Sequence, residues 1–269
     1  MSAVRAKRSL ADFLGPLAVF GVFIGFWYLA AYKFVAHNFA ANGSIILVPP
    51  PHRVLESMGD QWPKIMEATW LTARTALLGL GITIVLGVWT AIVMSQARWL
   101  EKAFYPYLVA LQATPILALT PLIANILGAN FRSRVVVVIL ISIFPIVANT
   151  LFGLNSVESN QHDLMTLAGV SRWTRLVKLQ FPAAMPPIFT GLEIAAGLSV
   201  IGAIVGDFFF QRGDVGLGYR IQKYYKELKP GQMFVSSFMA IMLGIVVFLT
   251  FKTLSRRVIG HWHATTFKP

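Results

Sequence analysis

The sequence predicts an all-α integral membrane protein with six transmembrane helices, and three observations predict it. The chain is 56% hydrophobic and only 13% charged over 269 residues, with a mean hydropathy of +0.66, and so little charge cannot coat a soluble core of this size. Its apolar residues gather in six runs, 13–34, 71–94, 104–127, 135–154, 188–209 and 233–251, each long enough for a helix to cross a bilayer. The basic residues, which give a formal net charge of +12, stand at the ends of those runs, where anionic headgroups are the expected partners. The whole chain, 1–269, is therefore expected as a single transmembrane domain.

In chain order, the first run follows Arg5, Lys7 and Arg8. It is too long for a signal peptide and has no small-residue cleavage site, so it reads as a span. Residues 37–70 are more polar. Val48–Pro51 must be extended, and a short amphipathic helix is expected over 53–61. In the second run Gly79, Gly81 and Gly87 would let another helix approach closely. The third carries Pro106, Pro115 and Pro121 beside Gln112, Thr114, Thr120 and Asn125. Prolines free backbone carbonyls that must find partners in a bundle or in water, so this is either a kinked packing helix or one that lines a pathway. The fourth holds Pro145, Asn149 and Thr150. The fifth holds Glu193 near its start and Asp207 near its end. A polar insert, 211–232, with a short helix at 221–228, leads to the sixth run and a basic tail.

Between the fourth and fifth runs lies a polar loop, 155–187. Its segment DLMTLAGVSRWTRLVKLQFPAAMPP reads as two short helices. Leu164, Leu167 and Ala168 make one apolar stripe, and Gly169 stops the helix. Ser171 caps a second helix with an apolar face of Trp173, Leu176 and Val177 and a basic stripe of Arg172, Arg175 and Lys178. Pro182 is expected to end it, with Pro186 and Pro187 delaying the next span. Spacing alone leaves two readings, a helix pair on the membrane surface or a knob presented to a partner protein.

Several function classes are excluded. Without cysteine there is no disulfide, thiolate metal site or cysteine nucleophile. His37, His52, His162, His261 and His263 lack metal-ligand spacing, so no metal site is expected. No nucleophile, base and metal-ligand set occurs in the spans, so no catalytic residue is expected. There is no G-x-x-x-x-G-K-[ST] phosphate loop, and no aromatic–basic module for nucleic acid. Within the spans an ionisable group costs about 2.5–3.5 kcal/mol and is a functional candidate. Asp207 is the stronger of the two acidic positions, as a translocation contact or as an anchor for the insert through Arg212 or Arg220. Glu193 reads as headgroup-level. Gln112, Thr114, Asn149 and Ser199 are candidates to line the pathway, and each is also able to bridge helices.

The loop resembles the cytoplasmic EAA loop of permease subunits of binding-protein-dependent ABC importers: EAA, three residues, Gly, nine residues, Ile-x-Leu-Pro. Asp163-Leu164-Met165 stands at EAA, Gly169 follows after three residues, and Leu179-Gln180-Phe181-Pro182 after nine more. The segments LVPPPHRVLESM, GLEIAAGLSVIGAIVGDF and GDVGLGYRIQ resemble, in order, segments of the nitrate, sulfonate, taurine and bicarbonate branch. Glu193 replaces that branch's usual Arg and inherits no role. The resemblance implies a type I ABC importer transmembrane (MetI-like) fold. It implies ATPase coupling through Asp163, Leu164, Met165, Leu167, Ala168, Gly169 and Pro182. Its implied partners are a second permease copy in a homodimer, ATPase subunits that bind the ATP and Mg this chain does not, and an extracytoplasmic solute-binding protein. It also implies a bacterial plasma membrane location with both termini cytoplasmic; lysine and arginine divide almost evenly between the two sides, so their bias does not orient the chain. The competing reading is a stand-alone channel or secondary transporter without an ATPase. Branch members carry small anions, sulfonates or neutral heterocycles such as pyrimidine or flavin. No basic residue sits at the centre of a span, Arg74, Arg132 and Arg134 lying near the ends, which argues against a nitrate-like ion.

Overall fold

The computed structural model describes residues 10–35, 48–59 and 61–260, without the side chains of 10–13, 34 and 35. Arg5, Lys7, Arg8, His37, His261 and His263 lie outside the described residues. Every regular element within them is helical. The chain divides into two compact units, one of 1–63 with 221–236 and one of 64–220 with 237–269.

In the first unit, α1 (Leu10–Leu29) runs on into a π turn, Ala30–Val35. Pro50 is extended at φ −64°, ψ 152°, as a proline-rich stretch demands. Helix α2 (Pro51–Glu56) starts at once on Pro51, because the first helical position needs no N–H. It therefore begins and ends earlier than the 53–61 expected. Trp27 ties α1 down, donating from Nε1 to Pro49 O at 3.1 Å and stacking on Phe234. Tyr28 bonds His52 Nδ1 at 3.2 Å.

The second unit is built from α3 (Trp62–Ser95, its first residues in the other unit), α4 (Arg98–Ala113), α5 (Ile116–Leu127), α6 (Phe131–Leu154), α7 (Ser159–Leu167), α8 (Arg172–Arg175) and α9 (Phe181–Phe209). Helix α10 (Leu217–Lys226) and helix α11 (Pro230–Ile259) continue the chain and are shared between the units. Helices α6 and α9 lie along one another, and Ala76, Leu80, Val138, Ile146, Leu192, Ala196 and Val200 bury the seam they share with α3. In lipid such packing rests on close backbone approach. A Cβ at Gly87 would come within 2.8 Å of Ile146, one at Gly79 would overlap Val138, and one at Gly202 would sit 2.9 Å from the Val138 Cα. Gly81, by contrast, faces open space, so two of the three glycines in the second run mark the contact.

Among the described residues five helical stretches are long and apolar enough to cross a membrane, and α4 with α5 makes a sixth if the pair is one broken span. The third run is thus two helices bent by 100° and not one kinked helix. Thr114 takes an extended ψ of 124°, because the residue before a proline is pushed out of the helical region. Pro121 does not break α5: the Thr120 hydroxyl donates to Leu117 O at 2.8 Å, the carbonyl that the missing proline N–H would have paired.

The fifth run also differs from expectation. Helix is continuous over Arg172–Phe209, so Pro182 does not end it and Pro186 and Pro187 do not delay it. A π turn, Leu176–Gln180, immediately precedes Pro182, and this local widening of the helix accommodates the proline's missing donor.

Candidate functional site

Three places in the second unit concentrate the polar chemistry. The first is the loop between α6 and α9. Helix α7 ends in a paired C-terminal cap: Val170 N donates to Met165 O at 3.1 Å and Gly169 N to Thr166 O at 3.0 Å. Gly169 adopts φ +66°, the left-handed angle this cap requires. Ser171 then caps α8, its hydroxyl accepting from Thr174 N. Arg175 donates to Thr166 Oγ1 at 2.9 Å and braces α8 against α7. Gln180 donates to Leu154 O at 3.3 Å, fixing the loop's return to the end of α6. What the loop presents is apolar: Leu164 is 69% exposed, Leu167 87% and Trp173 71%. Asp163, Ala168 and Gly169 are exposed beside them, while Met165 and Pro182 are half-buried. The expected apolar face of the second helix is split, since only Leu176 turns inward.

The second place is the far end of α9, where Asp207 is fully buried. Its Oδ2 accepts from Thr72 Oγ1 at 2.6 Å. Arg134 Nη1 stands 3.6 Å from Oδ1. The sequence offered Arg212 or Arg220 as its partner; the structure gives Arg134, which is itself 1% exposed. Arg134 Nε and Nη2 both donate to Phe210 O, at 2.9 and 2.6 Å, and Thr72 Oγ1 accepts from Leu217 N at 2.8 Å. Three helices, α3, α6 and α9, thus grip the segment 210–218. The Gly-x-Gly at 216–218 exists for this contact, because a Cβ at either glycine would fall on Asp207.

The third place is a cavity of 480 Å³ at mid-length of α6 and α9, closed on one side by the α4–α5 break. Irregular backbone at membrane depth is tolerated where it lines a cavity. Gln112, Thr114 and Asn149 all line it. Thr114 donates its proton to Ala110 O and Asn149 Nδ2 donates to Pro145 O at 2.8 Å. Each therefore keeps oxygen lone pairs for the cavity. Ser199 and Asp207 are not brought there. Ser199 is fully buried and donates to Ala196 O at 2.8 Å.

Sequence reasoning missed Thr72 and Arg134, whose partner is 73 positions (207 − 134) further along the chain. The Gly-x-Gly after Asp207 was the one visible signal. It also missed that Phe144, Ile194 and Leu198 complete the cavity. Among the described residues no cluster of His, Asp or Glu suits a metal ion.

Residues 83–260 match the family described as binding-protein-dependent transport system inner membrane component. The chain is 33% identical to the formylaminopyrimidine transport permease protein ThiX of Halalkalibacterium halodurans, over 79% of this chain and 84% of that one. It is 26% identical to the bicarbonate transport system permease protein CmpB of Synechocystis, over 90% and 87%. Its fold is similar to that of a chain of the methionine ABC transporter MetNI, solved in inward-facing conformations, with a TM-score of 0.63 and 15% identity over 72% of this chain and 95% of that one. The chain belongs to the inner-membrane component family of binding-protein-dependent transport systems: it is a multi-pass, non-enzymatic permease subunit of an ABC importer.

Proposed function

We propose that 155–187 is the cytoplasmic loop through which separate ATPase subunits drive this permease. The observation that carries it is the exposure of Leu164 and Leu167 on a helix outside the spans. Apolar side chains so placed fit a partner's groove better than water. Asp163, Leu164, Met165, Leu167 and Ala168 occupy that groove, Gly169 sets the angle to α8, and Pro182 opens the following span. ATP and Mg are held by the ATPase pair, and closure of that pair moves α7. The Arg175–Thr166 and Gln180–Leu154 bonds pass the movement to α6 and α9, whose two arrangements open the pathway to one side or the other.

In this reading residues 1–269 form one permease domain with both termini cytoplasmic and six spans, α4 and α5 counting as one. Two copies pair, and an extracytoplasmic binding protein delivers the solute. Gln112, Thr114 and Asn149 line its route, while Ser199 and Asp207 serve packing. The relatives ThiX and CmpB are named for an organic heterocycle and an inorganic anion, so kinship alone admits either kind of cargo.

The test is purification of tagged protein with its native partners. An ATPase chain is expected to accompany wild type and to be lost from Leu167→Glu. Retention of the ATPase by that variant, or uptake by purified permease without nucleotide, would sink the proposal.

A further inference from the structure

We infer that the mid-span cavity takes an uncharged, planar organic solute of heterocycle size, held by the side-chain amides of Gln112 and Asn149 against the Phe144 ring. This rests on the reading that the cavity belongs to the solute route. Three observations carry it.

The first is size. A cavity of 480 Å³ lies within the range of about 300–1,000 Å³ typical of sites for organic ligands. A three- or four-atom oxyanion would rattle in it.

The second is charge. No side chain lining the cavity is ionisable. The buried cation of the second unit, Arg134, is spent on Phe210 O and Asp207, and Arg74 lies over the Phe131 ring at 5.2 Å. An anion entering here would lose its water and gain no counter-charge, which is prohibitive for a charge and tolerable for a hydrogen-bonded neutral group.

The third is hydrogen-bonding character. Gln112 makes no side-chain hydrogen bond with any described residue, so its amide presents both donor and acceptor. Asn149 and Thr114 add oxygen acceptors. An amide-like edge, with donor and acceptor side by side as in a ring lactam, matches that set. Phe144, Ile194 and Leu198 line the cavity with apolar surface, which suits the flat remainder of such a solute.

The natural chain has no cysteine, so a single Leu198→Cys reports occupancy of the cavity. Maleimide labelling of that variant is followed in membranes holding the whole transporter. The probes are uracil, cytosine and nicotinamide on one side and sodium nitrate and bicarbonate on the other. At least one neutral heterocycle is expected to slow labelling severalfold and the anions to leave it unchanged; adding Gln112→Ala or Asn149→Ala is expected to abolish the protection. Equal or better protection by an anion overturns the inference. So does protection by none of the heterocycles, or a cysteine that water-borne maleimide never reaches. Copurification of the ATPase from the same membranes is scored separately: its absence defeats the coupling proposal, and the labelling result still decides what the cavity holds.

Discussion

The Asp207 cluster and the mid-span cavity are both polar places in one apolar helical unit, and they are built on opposite rules. At Asp207 nearly every polar atom has a partner: Thr72 serves two groups, Arg134 serves a carboxylate and a carbonyl, and glycines let the backbone close over them. At the cavity the amide of Gln112 bonds to no described residue, and Asn149 and Thr114 are satisfied on one side only. The first arrangement leaves only Asp207 Oδ1 without a hydrogen bond, and that atom faces Arg134; it fixes a loop. The second leaves hydrogen-bonding capacity beside empty volume, the condition for a binding site. Charge alone is therefore a poor guide to a pathway in such a bundle, and unspent hydrogen-bonding capacity is a better one.

The contrast is broken most severely at Arg134. Arg134→Leu would strand a buried carboxylate and unpair Phe210 O, a loss of about 3–5 kcal/mol. The expected outcome is a strongly lowered thermal midpoint in detergent or loss of the protein from the membrane. Arg134→Leu with Asp207→Leu is expected to recover much of it, since replacing a whole buried pair by apolar groups is far milder than halving it. A double variant as unstable as the single one would show that Asp207 does not depend on Arg134. Thr72→Val probes the same cluster more gently. It removes the donor to Asp207 and the acceptor of Leu217 N at once, an expected loss of about 1–3 kcal/mol, and an unchanged midpoint would count against the grip on 210–218.

Much of the architecture was legible because it rests on local signals. Apolar run length gave helices long enough to cross a membrane, Gly169 gave the cap, and the prolines of the third run gave a bend, read as a kink where the chain breaks at Thr114. What was not legible depends on distant pairing. Near Asp207 in the chain only the Gly-x-Gly at 216–218 signals a close contact; it does not name Arg134 or Thr72, and Arg212 and Arg220 were the nearer choices. Pro182 misled for a different, local reason: a π turn ahead of it absorbs a residue that helix rules read as a stop. Gln112, Thr114 and Asn149 were singled out as polar residues in apolar runs, but only the fold brings them to one cavity and leaves Ser199 out of it.

A third region, the loop, sharpens the comparison, since it is neither buried nor hollow. Gly169→Val forces a β-branched residue to φ +66°, a strain of about 1–2 kcal/mol released by reshaping the α7–α8 corner. Membrane insertion and the thermal midpoint are expected to stay near wild type while nucleotide-driven uptake collapses. Normal uptake would mean that the corner angle carries no force.

The smallest expected change in stability, and the sharpest statement of the contrast, belongs to Gln112→Ala. Gln112 lines the cavity and bonds to no described side chain or carbonyl, so its loss should move stability by no more than about 0.5 kcal/mol. Thr72→Val should do the reverse: a clear drop in the midpoint, with the solute preference of the surviving protein intact. Measured together, midpoint and uptake specificity separate the two regions. If Gln112→Ala lowers the midpoint as much as Thr72→Val does, then its amide is bridging helices, and the distinction between spent and unspent polar groups fails at the residue where it is drawn most plainly.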